Sequence, residues 1–500
     1  MNKKLLIRRM PFLFTTLISL LLCDIGLSQS IRFDLGQRLR RLEAELEKDL
    51  SESNRVKALP PMEAAVQNFF SGRLDDAAQG LDQAWVQLLP DRQRAVAQWV
   101  AGLQIKPLGS LLVDGDQFQF QLDQRFVSTR KPPQTYEVKC SLRRVADDGA
   151  EETEAVVLPM HPDRYSLKLK PDSDYLIQVA ICSAGFEIPV GEIAVARISH
   201  FQERLEQLKK RMVAGKKSSP PWHASAAATV RQQMQALEQW AGPNDLETLL
   251  SAQQELQRLE RIAEVATRAD WLFASLTEND QQSGNRRLWV KWMGAKRKSA
   301  KLRIAIPAGL EGRDKRVPCV IALHGAGGSE NMFLDTYGDG KIADLCEKRG
   351  WILVAPRIGL GGIGLPMQEV IKQLEEVLPI DSEQVAVVGH SMGAAYSMQL
   401  VNEAQNAQSG FQYQAVAAVG GGRPTKIVNR DAQALQTQFF VAAGSNDFGR
   451  GGAFGLHNAL ERQAVESTWQ EYAETEHLGI VQICLEDVFE FFDSILSSKK

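Results

Sequence analysis

The chain has 500 residues, a formal net charge of −3, 44% hydrophobic residues and 24% charged residues. These proportions exclude a disordered or fibrous chain, and the length suits about three domains. There is no basic surplus to pair with phosphates, so no nucleic-acid partner is expected. With a single strongly apolar stretch, a polytopic membrane protein is excluded as well.

That stretch lies at the N-terminus. Lys3, Lys4, Arg8 and Arg9 precede the mainly apolar residues 12–23, and Gly26 and Ser28 place small residues at −3 and −1 of a cut before Gln29. Asp24 ends the run short of the about 20 residues that a spanning helix needs. Residues 1–28 therefore read as a signal peptide. The protein is expected to be exported, periplasmic or extracellular, with no stable membrane span after cleavage. A lipoprotein reading through Cys23 is weaker, because three leucines stand where a small residue is wanted.

Processing leaves Cys140, Cys182, Cys319, Cys346 and Cys484, an odd number for an oxidising compartment. Cys140 alternates in phase with Val138 and Leu142, whereas Cys182 is out of phase with Ile177 and Val179, so a bridge between them is the weaker expectation. No CxxC or His/Cys spacing points to a metal, and no cofactor is expected.

Residues 29–106 read as helical. Leu39, Leu42, Leu46 and Leu50 form a helical stripe, and Pro60-Pro61 is predicted to break the chain before a second set. Residues 69–78 resemble one hairpin of a tetratricopeptide repeat. A single copy cannot form a solenoid, which leaves a plain helical hairpin.

Residues 107–199 change to a period of two. Phe118, Phe120 and Leu122 alternate, as do Tyr165, Leu167 and Leu169, Tyr175, Ile177 and Val179, and Phe186, Ile188 and Val190. Short alternating strands with Asp, Gly and Pro breaks predict a β-sandwich. Residues 169–175 resemble the tyrosine corner of immunoglobulin-like and fibronectin type III domains, which implies a Tyr175 hydroxyl bonded to nearby backbone. Such a module serves as a spacer, and it is also the candidate contact for a protein or glycan partner. Residues 200–282 return to helix, with a linker at residues 215–221 and a hairpin carrying Leu249, Leu256, Leu259 and Ile262. The basic residues 204–217 read as a solvated helix face.

From residue 283 strands and helices alternate. Residues 288–292 and 302–306 read as early strands. The nearly continuous apolar runs at 317–323, 351–355, 385–388 and 439–443 predict a mostly parallel sheet covered by helices on both faces. One strand runs into Gly389-His390-Ser391-Met392-Gly393 and then a helix, the strand–turn–helix setting of a nucleophile elbow. A side chain at either glycine would clash, so the turn exposes the Ser391 hydroxyl as candidate nucleophile. A histidine partner must lie downstream, where only His457 and His477 remain. His457 sits in a helical pattern, and His477 in a loop at a strand end, so His477 is the candidate base. The candidate acid is Asp447, after the strand at 439–443; Asp431 precedes that strand and is the weaker choice. His324-Gly325-Ala326-Gly327-Gly328 follows another strand, and its bare backbone predicts oxyanion donors at Ala326 or Gly327 beside the Met392 N–H. His324 itself reads as structural.

On these motifs residues 286–500 resemble the α/β-hydrolases, close to secreted esterases of the polyhydroxybutyrate depolymerase and feruloyl esterase kind, and to the prolyl oligopeptidase-like catalytic domain. One departure is Ala394, where such esterases often have a third glycine. The resemblance implies an ester substrate, on a small molecule or a polymer, cleaved through an acyl-enzyme without a cofactor. A prolyl oligopeptidase-like peptidase and a non-catalytic scaffold are the alternatives. Because every motif lies after Arg286, a fragment starting near residue 270 is expected to keep activity; the competing expectation is that the preceding helices pack on the hydrolase region. A His477 base predicts kcat/KM rising from about pH 6 to 7.5.

Overall fold

The computed structural model describes residues 27–496 except 47, 49–51, 114, 127–130, 146–150, 161–163, 213–220, 239–251, 277–285, 296–297, 311–314, 360–364, 408–409 and 428–434. Nearly all of the expected signal peptide, most of the 215–221 linker and Asp431 thus lie outside the described residues. Among the described residues no helix is long and apolar enough to cross a membrane.

Four helices come first: α1 (Leu27–Leu46), α2 (Glu52–Phe70), α3 (Leu74–Leu88) and α4 (Asp91–Val100). Pro60 and Pro61 do not break the chain but lie inside α2. A helix-interior proline costs about 3 kcal/mol in isolation. Here the helix is held by its packing on α3, with Met62, Ala65 and Val66 buried. A Cβ on Gly80 would stand 2.9 Å from the Ala65 Cβ and 3.0 Å from the Pro61 carbonyl oxygen, so the glycine sets how closely the two helices approach. Buried ion pairs fix α1 to this hairpin. The Arg38 guanidinium bonds both Asp34, at 2.8 Å, and Asp82, and Arg41 reaches Asp82 at 2.7 Å.

The helical reading of residues 29–106 runs too far. Leu103–Pro107 is a strand, β1, paired antiparallel with β3 (Gln117–Gln124). The reason is visible afterwards: Leu103 and Ile105 alternate, and the helix has already ended at Val100. With β6 (Tyr165–Lys168) these make a three-stranded sheet. A five-stranded sheet takes the order β2 (Leu112–Val113), β8 (Phe186–Arg197), β7 (Ser173–Ser183), β4 (Glu137–Val145), β5 (Glu151–Pro159). The Tyr175 hydroxyl accepts the Lys170 N–H at 2.7 Å. Cys140 and Cys182 are both free. On the antiparallel β4–β7 pair Cys140 faces Val179, whereas Cys182 faces Glu137, so the two thiols are on opposite faces.

Helices α5 (Phe201–Met212), α6 (Pro221–Glu238), α7 (Ala252–Val265) and the short α8 (Trp271–Ala274) follow. The Asp174 carboxylate, on β7, accepts the Gln253 and Gln254 N–H groups at 2.8 and 2.9 Å, binding the five-stranded sheet to the start of α7.

The remaining strands form one eight-stranded sheet: β9 (Arg287–Met293), β10 (Ser299–Ala305), β11 (Val317–Leu323), β12 (Ile352–Pro356), β13 (Ile380–His390), β14 (Ala415–Val419), β15 (Gln438–Gly444) and β16 (Ser467–Tyr472). Their spatial order is β9-β10-β12-β11-β13-β14-β15-β16. β10 runs antiparallel to both neighbours and the other pairings are parallel. Four further helices lie between the strands, α9 (Lys341–Arg349), α10 (Met367–Leu374), α11 (Met392–Ala407) and α12 (Arg450–Glu461), and α13 (Ile480–Leu496) follows β16. At the sheet edge, Thr229 and Ser225 of α6 accept the Lys291 and Met293 N–H groups of β9 at 2.8 and 3.0 Å. An exposed edge strand needs such a cover, so α6 packs on the eight-stranded sheet, the second of the two expectations.

Candidate active site

The elbow forms where β13 enters α11. Ser391 takes φ +56°, a left-handed conformation that costs an L-residue about 1–3 kcal/mol and is held only where the surroundings enforce it. A Cβ on Gly389 would stand 2.3 Å from the Gly393 oxygen, and one on Gly393 2.0 Å from the Leu323 oxygen at the end of β11. Both contacts are with backbone, so neither position accepts a side chain. The Ser391 N–H donates to the Val419 carbonyl at 2.8 Å, which ties the turn to β14.

Two further loops reach the same point. Asp447 follows β15, and His477 lies between β16 and α13. His477 Nε2 is 3.0 Å from Ser391 Oγ, and its Nδ1 is 2.7 Å from Asp447 Oδ1. Asp447 and His477 are 4% and 3% exposed, so their contact is shielded from water. Asp447 Oδ1 also accepts the Gly449 N–H at 2.6 Å. The Asn446 N–H donates to the Thr475 carbonyl at 3.0 Å, and a Cβ on Gly444 would stand 2.0 Å from that same oxygen, so the two loops are held in register by backbone. His457 is elsewhere: it sits on α12, with Nδ1 2.9 Å from Ser467 Oγ.

The loop from His324 to Gly328 runs beside Ser391. His324 Nδ1 lies 2.7 Å from the Gly325 oxygen and its Nε2 accepts the Ile358 N–H at 3.0 Å. Burial lowers its pKa to about 4, so the ring is neutral and pins the loop. Ala326 and Gly327 line one cavity with Ser391 and His477, and Met392 opens the helix whose first N–H groups have no intrahelical acceptor.

Two features of the site were not visible in the motifs. The first is a polar chain behind the imidazole. Tyr337 Oη stands 2.6 Å from His390 Nδ1, and His390 Nε2 is 3.0 Å from the His477 carbonyl oxygen. A carbonyl only accepts, so Nε2 carries the proton and Nδ1 takes the tyrosine proton. Burial, with His477 nearby, holds the His390 pKa well below the usual imidazole range. His390 was in plain sight within the elbow motif, but nothing in the sequence joined it to Tyr337.

The second is the wall of the cavity. Opposite Ser391 it is made by Leu35 and Leu39 of α1, by Val66, Phe69 and Phe70 of α2, and by Leu81 of α3. Phe69 lies directly on the His324–Gly328 loop: a Cβ on Gly327 would stand 2.6 Å from its ring. Phe70 meets Phe448 edge-on at 5.8 Å, and the Phe448 ring centre is 4.0 Å from that of His477. Among the described residues no cluster of His, Cys, Asp or Glu is arranged to hold a metal.

The sequence matches no protein-family profile and no curated protein. Among solved structures it is similar to a fluorophosphonate-binding serine hydrolase of Staphylococcus aureus, at 10% identity and TM-score 0.35, over 41% of this chain and 97% of that one. An S-formylglutathione hydrolase from Agrobacterium tumefaciens aligns at 12% identity and TM-score 0.35, over 42% of this chain and 96% of that one. The feruloyl esterase module from Clostridium thermocellum aligns at 13% and 0.35, over 43% and 89%. Similarity at this level assigns neither activity nor substrate.

Proposed function

We propose that the chain is an exported serine hydrolase that cleaves carboxylic esters through an acyl-enzyme. The observation that carries this reading is the Ser391–His477–Asp447 relay, 3.0 and 2.7 Å long, hung on a strained elbow. His477 Nε2 takes the Ser391 proton as Oγ adds to the ester carbonyl, and Asp447 holds the tautomer that leaves Nε2 free to accept. The N–H of Met392, with that of Ala326 or Gly327, receives the negative charge that develops on the carbonyl oxygen. The C–O bond to the alcohol then breaks, with His477 returning its proton to the leaving oxygen. Water repeats the sequence to release the acid. Export rests on the N-terminal basic and apolar pattern.

The test is labelling by a fluorophosphonate, followed by peptide mapping, with hydrolysis of p-nitrophenyl acetate in parallel. Label on Ser391 and loss of both labelling and turnover in Ser391→Ala are expected. An unlabelled, folded protein would overturn the reading, and turnover of peptide amides without ester turnover would replace it by a peptidase.

A further inference from the structure

Resting on the ester-hydrolase reading, we propose that helices α1–α3 form the acyl-binding pocket of the enzyme, and that it accepts a short apolar acyl group of about two to four carbons. The cavity above Ser391 has a volume of about 80 Å³ and its far wall is apolar side chains of the three helices. An apolar cavity of about 150 Å³ takes a benzene ring, so roughly half of that takes a group of about two to four carbons. The polar atoms at its base are committed, since the Tyr337 hydroxyl and the His390 ring bond each other. A charged or strongly hydrated acyl group would find no partner there.

The orientation follows from the chemistry. The leaving alcohol receives its proton from His477 and so departs on the histidine side. That side is open: Phe448, its ring tilted 42° against that of His477, is 60% exposed. The acyl group stays on Ser391 and occupies the enclosed space lined by Leu35, Leu39, Val66 and the Phe69 ring. Phe69 is therefore the residue that sets acyl length, and it comes from a segment outside the hydrolase-like sheet.

The experiment uses the full chain with p-nitrophenyl esters from acetate to octanoate, and with acetates of alcohols of increasing size. The wild type should show kcat/KM falling tenfold or more between butyrate and octanoate, while acetates vary little with alcohol size. Phe69→Ala should raise the octanoate-to-acetate ratio about tenfold or more, since each methylene accommodated is worth about tenfold in a well-fitted pocket. Val66→Phe should lower the butyrate-to-acetate ratio by a similar factor. Fluorophosphonate labelling checks that each variant is folded at the elbow. The wild-type profile needs no variant and stands if either fails to fold. A wild-type profile flat or rising to octanoate, or folded variants with the wild-type profile, would overturn the pocket while leaving the ester reading intact. Absence of turnover with every ester would overturn both.

Discussion

Removing one buried oxygen tests how the candidate base is held. Tyr337 is 2% exposed and its hydroxyl gives the 2.6 Å bond to His390 Nδ1. In Tyr337→Phe the imidazole cannot recover by changing tautomer, because Nε2 would then turn a lone pair toward the His477 carbonyl 3.0 Å away. The ring keeps its proton on Nε2, and Nδ1 is left as a buried acceptor with no donor, which costs about 1–3 kcal/mol. Stability should fall by that amount. Activity should fall as well, because the chain ends on the backbone of His477. A looser histidine loop lowers the fraction of molecules with Nε2 placed against Ser391, so kcat should drop several-fold with KM nearly constant. Thermal unfolding monitored by circular dichroism and steady-state hydrolysis of p-nitrophenyl acetate measure the two effects. Unchanged melting with an unchanged kcat would refute the assignment of Tyr337 and His390 as positioning residues.

Asp447→Asn should lower kcat by about 10⁴ while Ser391 remains reachable, since the amide favours the wrong imidazole tautomer; ester kinetics on the folded variant measure it. A fragment starting near residue 270 should be inactive or insoluble, because it lacks the helices that wall the cavity and cover β9; a soluble fragment with full-length activity would contradict the arrangement. Glu476 accepts the Leu478 and Gly479 N–H groups at 2.7 and 2.6 Å, and burial pushes its pKa up to about 7 against those bonds. The folded state therefore binds its proton more tightly than the unfolded chain. Its contribution to stability is complete below about pH 4.5 and is lost as pH rises to about 7. Glu476→Gln should flatten the melting temperature across that window relative to the wild type, and an unchanged slope would assign it to other groups.

The elbow was legible because its constraint is local: two glycines around a serine, between an apolar strand and a helix, leave one geometry. Asp447 and His477 could be picked out because they follow strands whose order in the sheet is fixed by parallel crossovers, and the structure brings both to Ser391. Other elements were hidden for identifiable reasons. β14 reads Ala-Val-Ala-Ala-Val, whose alanines favour helix, and only its place between β13 and β15 makes it a strand. Pro60-Pro61 read as a break because local propensity could not anticipate the contact with α3. The stripe containing Leu39 announced a buried face without saying what buries it. Phe69 and Gly327 meet through tertiary packing alone. A modular view of the sequence therefore separated two parts of one cavity. The motifs locate the proposed catalytic groups, whereas the shape of the proposed acyl pocket comes from α1–α3. Substrate choice can then change through substitutions in those helices without touching the elbow or the two loops that meet it.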